Sequence, residues 1–211
     1  MSDARSVRAR LRLEEVDEAA RRVIARKGLA SATMRDISRE GGFTTGLLTH
    51  YFPDKEALIV GVFSSASDDW IERVRSAMGE AKNAQERLGV AVTLGIPGDP
   101  EDRRNWRLWS EMWSYACGNP TFAEHVIATD ALWEQELEGV LKAAIAEELL
   151  PKNLDVRAQA RILARLVDGL GVRSVLSQQW DDSRELLIAH LAAIGLAPKA
   201  VRALKRLVAT Q

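Results

Sequence analysis

The sequence predicts an all-α protein of about nine to ten helices: an N-terminal three-helix domain containing a helix-turn-helix, followed by a longer helical bundle. Three observations carry this. Apolar residues recur at helical spacing almost throughout the 211 residues, and strand-type alternation is absent. Gly and Pro clusters punctuate the pattern where helices must stop. Two short helical segments joined by a Gly-Gly pair precede the long ones.

The first helix is expected from Leu11 to Lys27, where Leu13, Val16, Ala20, Val23 and Ile24 form one stripe. Arg26 and Lys27 suit its negative end, and Gly28 closes it. Thr33-Met-Arg-Asp36 reads as a capping box that opens a second helix reaching about Glu40. Gly41-Gly42 break it. A third helix begins near Thr44 and runs to Tyr51 or Phe52; Pro53 stops it and Asp54 caps the next. The fourth spans about Lys55–Met78, with Leu58, Ile59, Val62, Phe63, Ala66, Trp70 and Val74 on its apolar side. Ala84–Ile96 follows, then a loop, Ile96-Pro-Gly-Asp-Pro-Glu-Asp102. Helices then fit Glu101–Cys117, Thr121–Ile127, Asp130–Leu150, Val156–Gln179, Ser183–Ile194 and Pro198–Val208. The division follows from this layout: residues 1–54 form one domain and residues 55–211 the other.

Composition is that of an ordinary globular chain, 46% hydrophobic and 28% charged. Cys117 is the single cysteine, so no internal disulfide can form. The Arg-rich start lacks the apolar stretch of a signal peptide, and no apolar run reaches membrane-spanning length. The expectation is a cytoplasmic protein without a membrane partner. Net charge is −1, but residues 1–55 carry 11 Lys/Arg against 8 Asp/Glu, while the rest carries 18 against 22. A basic end on an acidic body points to a polyanion, and a solvated Arg-rich tail explains the charge equally well.

The helix-turn-helix sharpens the choice. Ile37, Phe43 and Leu48 can close a core against Val23 and Ile24. The third helix then turns Thr45, Gly46, Leu47, Thr49 and His50 outward, where they could enter a major groove. Threonine hydroxyls and an imidazole can meet base edges, a leucine can touch a thymine methyl, and glycine allows close approach. Tyr51 and Lys55 flank that helix where phosphates would pass. The competing reading is a helical hairpin that serves only as core.

The stretch from Gly28 through Thr33-Met-Arg-Asp-Ile37 to Gly41-Gly-Phe-Thr-Thr-Gly-Leu-Leu-Thr-His-Tyr-Phe-Pro-Asp-Lys-Glu-Ala-Leu58 resembles the DNA-binding segment of TetR-family repressors. Thr44-Thr-Gly-Leu-Leu-Thr-His-Tyr-Phe52 is most similar to the BetI-like subgroup. Most of the family has a tyrosine at Thr49 and a small polar residue at Leu47; the subgroup has an aliphatic followed by Ser or Thr. Trp109-Ser-Glu-Met-Trp113 with Asn119-Pro120, and Leu166-Val-Asp-Gly-Leu-Gly-Val-Arg-Ser-Val-Leu176, resemble that subgroup's C-terminal domain. Gly171 departs from the bulky aromatic often found there.

The resemblance implies a TetR-like fold and a one-component regulator, as a repressor, binding palindromic double-stranded operator DNA as a homodimer and released by a small-molecule effector. It implies base contacts from Arg35, Thr45, Gly46, Leu47, Thr49 and His50, and phosphate contacts from Thr33, Thr44, Tyr51 and Lys55. It assigns the last long helix pair to a four-helix dimer interface, with Ile162, Leu166, Gly169, Leu170, Arg173, Leu187, His190 and Leu191 as candidates. Such a dimer would hold two reading heads about 34–36 Å apart, or a multiple of that.

Trp106, Trp109 and Trp113 share one helical face, and with Trp70, Phe122 and Trp133 they could line an effector pocket. Indole faces would suit an apolar compound or a choline-like cation, with Glu111 and Glu134 as counter-charges. Plain core packing explains any single tryptophan as well. The basic residues of the last helix, Lys199, Arg202, Lys205 and Arg206, read as a solvated face.

An enzyme is not expected. Asp168-Gly-Leu-Gly171 lies inside a helical pattern and lacks phosphate-loop spacing. His50, His125 and His190 are scattered, Cys117 has no nucleophile motif, and no metal-ligand spacing occurs, so neither cofactor nor metal is anticipated. The remaining alternative is a helical protein-interaction module without DNA binding.

Overall fold

A computed structural model describes the backbone of residues 2–96 and 100–210; the side chains of residues 2–12, 100–102 and 104 lie outside the description. The side chains of the Arg-rich start and residues 97–99 of the expected 96–102 loop therefore fall outside it. Among the described residues there are ten helices and no strand. They are α1 (Ser2–Lys27), α2 (Met34–Gly41), α3 (Thr45–Tyr51), α4 (Lys55–Glu80) and α5 (Ala84–Gly95). Then come α6 (Pro100–Cys117), α7 (Pro120–Ala146), α8 (Val156–Ser177), α9 (Trp180–Ala193) and α10 (Pro198–Val208).

Several boundaries differ from the sequence reading, among them the end of α7, at Ala146 rather than Leu150. Helix α1 begins at Ser2 rather than near Leu11, because residues 2–10 hold no Gly or Pro to stop a helix whose apolar stripe begins only later. The expected pair Thr121–Ile127 and Asp130–Leu150 is one helix, α7. Ala128-Thr129 offers no breaker, and Val126 and Trp133 are buried on either side of it. Helix α9 starts at Trp180 rather than Ser183, so that Asp181 and Asp182 fall in its first turn, where acidic groups complement the dipole. The turn before it uses Gln178 at φ +61°, a left-handed position that no glycine advertises in the sequence.

The chain divides into two compact units. The first comprises residues 1–69 and 108–126. Its core is one apolar cluster that includes Val16, Val23, Ile24, Leu29, Ile37, Leu48, Leu58, Phe63, Met112 and Phe122. Ion pairs tie α1 to its neighbours: Lys27 to Asp36 at 2.6 Å, Arg26 and Arg22 to Glu40 at 2.7 and 3.1 Å. Arg21 joins Asp17 and Asp69 at 2.7 and 2.9 Å.

The second unit comprises residues 70–107 and 127–211. Here α9 packs on α8, α5 and α10. Leu88, Val92, Leu141, Leu163, Leu187, Ile188, Leu191 and Leu204 are all buried in it. Ser174 and Ser183 share a hydrogen bond of 2.6 Å where α8 meets α9; such small side chains allow close approach. The amide of Ala197 donates to the Leu149 carbonyl at 2.8 Å, anchoring the joint that leads into α10.

Candidate nucleic-acid interface

The two short helices are set by their caps. Thr33 caps α2: its hydroxyl accepts from the Asp36 amide at 3.1 Å, and the Asp36 carboxylate accepts from the Thr33 amide at 3.3 Å. Lys27 and then Thr33 hydrogen-bond that carboxylate and hold Asp36 down to about pKa 2. Arg26 and then Arg22 lower Glu40 in the same way. At the other end of α2, Gly42 takes φ +70° and donates to the Ser38 carbonyl, which bends the chain toward α3. Thr44 caps α3 by accepting from the Leu47 amide at 3.2 Å.

One residue orients α3. Leu48 is fully buried in the core of the first unit, so the opposite side of a seven-residue helix must face outward. Thr45, Gly46, Thr49 and His50 are exposed there, and Leu47 and Tyr51 are half-buried at the margins. The rings of His50 and Tyr51 meet edge to face at 5.2 Å. Phe43 packs against the core as expected, beside Ile37, Val23 and Ile24.

Hydrogen bonding decides what each group can still offer. Thr44 accepts through its oxygen and keeps its hydroxyl proton for an outside acceptor. Thr33 gives its proton to Asp36 at 2.7 Å, leaving only acceptor capacity. Thr49 donates back to the Gly46 and Thr45 carbonyls at 3.2 and 3.3 Å, so its methyl and lone pairs point away from the helix. Lys55 gives one N–H to the Ala30 carbonyl at 3.0 Å and has two more. A Cβ at Gly46 would meet nothing within 4 Å, so the protein's own packing does not require glycine there.

The basic residues also separate by role. Arg22, Arg26 and Lys27 are spent on the α1–α2 clamp. Arg35 and Arg39 are exposed on α2 and make no ion pair among the described residues. Arg39 was missed in the sequence reading; its signal is the one-turn spacing from Arg35.

The six aromatic candidates fall into two groups. Trp109, Trp113 and Phe122 belong to the first unit, where Phe63 meets Trp109 at 5.5 Å and Phe122 at 5.3 Å. Trp109 and Trp113 lie 6.5 Å apart. Trp70, Trp106 and Trp133 belong to the second, with Trp70 and Trp133 edge to face at 4.9 Å. A Cβ on Gly171 would overlap the Trp106 indole, which gives the missing aromatic at 171 a physical reason: a ring from α6 already fills its place. Of the expected counter-charges, Glu111 accepts from the Leu29 amide at 2.7 Å, and Glu134 pairs with Arg165 at 2.8 Å.

The candidates on α8 and α9 separate by burial. Leu187 and Leu191 lie inside the second unit. Leu166, Leu170 and His190 are half-buried, while Ile162, Gly169 and Arg173 are exposed. Two further apolar side chains stand in solvent there, Leu176 at 73% and Leu186 at 57% exposure. The sequence reading passed over both, since helical spacing alone cannot say which of two neighbouring leucines faces inward. Beside them, Arg165 bridges Asp130, Glu134 and Asp168 at 3.5, 2.8 and 3.4 Å. Burial, and next the charge of Asp130, pushes Asp168 up to about pKa 7; burial also raises Asp130.

Among the described residues no helix is long and apolar enough to cross a membrane, and no group of three or more His, Cys, Asp or Glu could hold a metal ion.

A capped helix-turn-helix followed by a helical body is the layout of a DNA-binding regulator of transcription. The family comparisons agree on both halves. Residues 18–62 match bacterial regulatory proteins of the tetR family, and residues 84–196 match the C-terminal domain of BetI-type transcriptional repressors. The chain belongs to the TetR family of transcriptional regulators and carries a BetI-type C-terminal domain. It is similar to the transcriptional regulator BetI of Burkholderia cenocepacia, 27% identical over 184 residues, 85% of this chain and 91% of that protein. It is also similar to the regulator PksA of Bacillus subtilis, 23% identical over 87% of this chain and 89% of that one.

Two solved structures share the fold. A TetR-family regulator from a Rhodococcus species is 23% identical, with TM-score 0.78 over 87% of this chain and 98% of that one. A transcriptional regulator from Saccharomonospora viridis in complex with choline is 22% identical, with TM-score 0.78 over 91% and 97%.

Proposed function

We propose that this protein is a cytoplasmic repressor that binds a palindromic operator as a homodimer through α2 and α3 and is released by a small-molecule effector. DNA reading is assigned to residues 1–54, and sensing and pairing to residues 55–211. The observation that carries the reading is the outward side of α3: Thr45, Gly46, Thr49 and His50 are exposed together because Leu48 is buried opposite them. Arg35, Thr45, Gly46, Leu47, Thr49 and His50 read bases, and Thr44, Tyr51, Lys55 and Arg39 meet phosphates. Thr33 has given its proton away, so it acts on DNA only by setting α2.

Pairing is assigned to the outer sides of α8 and α9, where Ile162, Leu176 and Leu186 leave apolar area uncovered. Gly169 and Arg173 accompany them, and Leu187 and Leu191 support the surface from inside. The effector reading follows the aromatic residues of the body, which suit an apolar compound or a choline-like cation. A ligand that favours one arrangement of the two heads lowers operator affinity by its differential affinity for that arrangement.

The test is selection of binding sites from random duplexes, followed by gel shifts from low to high salt. A palindromic site whose affinity falls steeply with salt supports the reading. A protein that enriches no sequence at low salt is instead a helical interaction module.

A further inference from the structure

The second unit contains a buried arginine whose hydrogen-bond donors are only partly answered. Arg184 is 1% exposed, one turn after the equally buried Trp180 on α9. Its Nη2 donates to Asp181 at 2.6 Å, but that carboxylate is 85% exposed and sits at the rim. Its Nε and Nη1 are buried and have no acceptor. Two more donors in the same neighbourhood share that condition. Arg103 lies with its guanidinium carbon 5.5 Å from the centre of the Trp180 ring, and its Nε is buried without an acceptor. The Trp180 indole Nε1 is buried and unanswered too.

The imbalance is one of kind. Every unanswered atom here is a donor, two of the three residues are cationic, and among the described residues the carboxylate that pairs with Arg184 is turned mostly toward water. A buried guanidinium without full partners is costly, and chains rarely retain one unless something supplies the acceptor. Water could satisfy one donor. It brings no negative charge to the buried guanidinium edge. The group that answers all of these atoms is an oxyanion, and a carboxylate suits Arg184 because a guanidinium edge meets it in two parallel hydrogen bonds.

Leu187 and Leu191 follow Arg184 on the buried side of α9 and, with Leu88, Val92, Leu137 and Val167, line a separate apolar cavity of about 20 Å³, too small for a ligand and not lined by Arg184, Arg103 or Trp180.

We propose that Arg184, Arg103 and Trp180 form the anion-binding end of an effector site, and that its ligand is an organic carboxylate. This rests on the effector reading above and narrows it to a ligand opposite in charge to choline.

The test uses the full-length protein without DNA. Thermal unfolding and tryptophan fluorescence are followed with hexanoate, phenylacetate and benzoate, each against its neutral amide, and with inorganic phosphate and choline. At least one carboxylate should bind about tenfold or more tightly than its amide and raise the melting temperature by roughly 5–10 °C at a hundredfold excess over its Kd. Arg184→Met should remove that shift, leaving the ligand-free protein as stable or more so, because it deletes two unanswered buried donors and leaves the exposed Asp181 to solvent. Arg184→Lys should keep part of the shift. Should Arg184→Met not fold, Arg103→Met, at a less buried position, should weaken carboxylate binding.

Equal binding of acids and amides, stabilisation by phosphate or choline alone, or a shift untouched in the arginine variants would overturn the proposal. Gel shifts are read separately. Carboxylate binding lost in Arg184→Met with no effect on the operator leaves the anion site standing and removes regulation. An intact operator complex with no carboxylate binding removes the anion site alone.

Discussion

Two outward surfaces of this molecule differ in kind. On α3, one buried leucine turns a short helix so that threonines, a glycine and a histidine face solvent without crowding. On α8 and α9, Ile162, Leu176 and Leu186 face solvent although the same helices bury Leu163, Val167, Leu187 and Leu191. A polar, open face, with Arg35 and Arg39 exposed on α2 and making no ion pair among the described residues, suits a hydrated polyanion. An apolar face on long, well-packed helices suits another copy of itself, as proposed above.

The largest effect should come from removing the residue that orients the first surface. Leu48→Ala should lower stability by about 2–5 kcal/mol, measured by thermal unfolding, and abolish operator binding with it. If Leu48→Ala left both unchanged, the outward side of α3 would not depend on that anchor. The second surface is tested with Leu176→Asp combined with Leu186→Asp. Both side chains are exposed in one chain, so the folded unit should persist while dimerisation weakens by about 2 kcal/mol or more, roughly thirtyfold, in sedimentation equilibrium. Unchanged self-association would move the interface elsewhere.

Two milder changes sharpen the contrast within the reading head. Thr49→Ala should cost about 1–3 kcal/mol on the preferred operator and little on a scrambled one. Lys55→Ala should weaken all duplexes alike and reduce the salt slope by about one. The same loss on every duplex from both would remove the distinction between base reading and phosphate anchoring.

The smallest effect concerns pH. The folded state holds the Asp168 proton up to about pH 7, whereas an unfolded aspartate releases it near pH 4. The associated stability is complete below about pH 4 and is lost as pH rises through 7. Asp168→Asn imitates the protonated form. Its melting temperature should exceed that of the parent by about 2–4 °C at pH 8, with the gap closing toward pH 4. A gap that did not vary with pH would mean that Asp168 titrates normally.

The same two regions show what was readable in advance. In the head, the signals are local. A capping box, a glycine turn and a proline stop each act over three or four residues, so Thr33, Asp36, Gly42 and Thr44 do what their spacing implies. In the body, the decisive facts are between helices. Trp106 and Gly171 are 65 residues apart in the chain, yet one is small because the other fills its space. The aromatic candidates look like one stripe along the chain, but Trp109 and Trp113 pack with Phe63 and Phe122, while Trp106 packs with Gly171.

By itself, the amino-acid order determined that the chain would be helical, where α2 and α3 are capped and stopped, and which family pattern it follows, because caps, breakers and apolar spacing operate over a single turn. Only the tertiary structure decided that α7 runs unbroken, that Leu176 and Leu186 rather than Leu187 and Leu191 stand in solvent, and that the Arg184 side chain is enclosed with unanswered donors. Those outcomes depend on which neighbours arrive from distant parts of the chain, and burial is a property of that packing rather than of any residue's own surroundings in sequence.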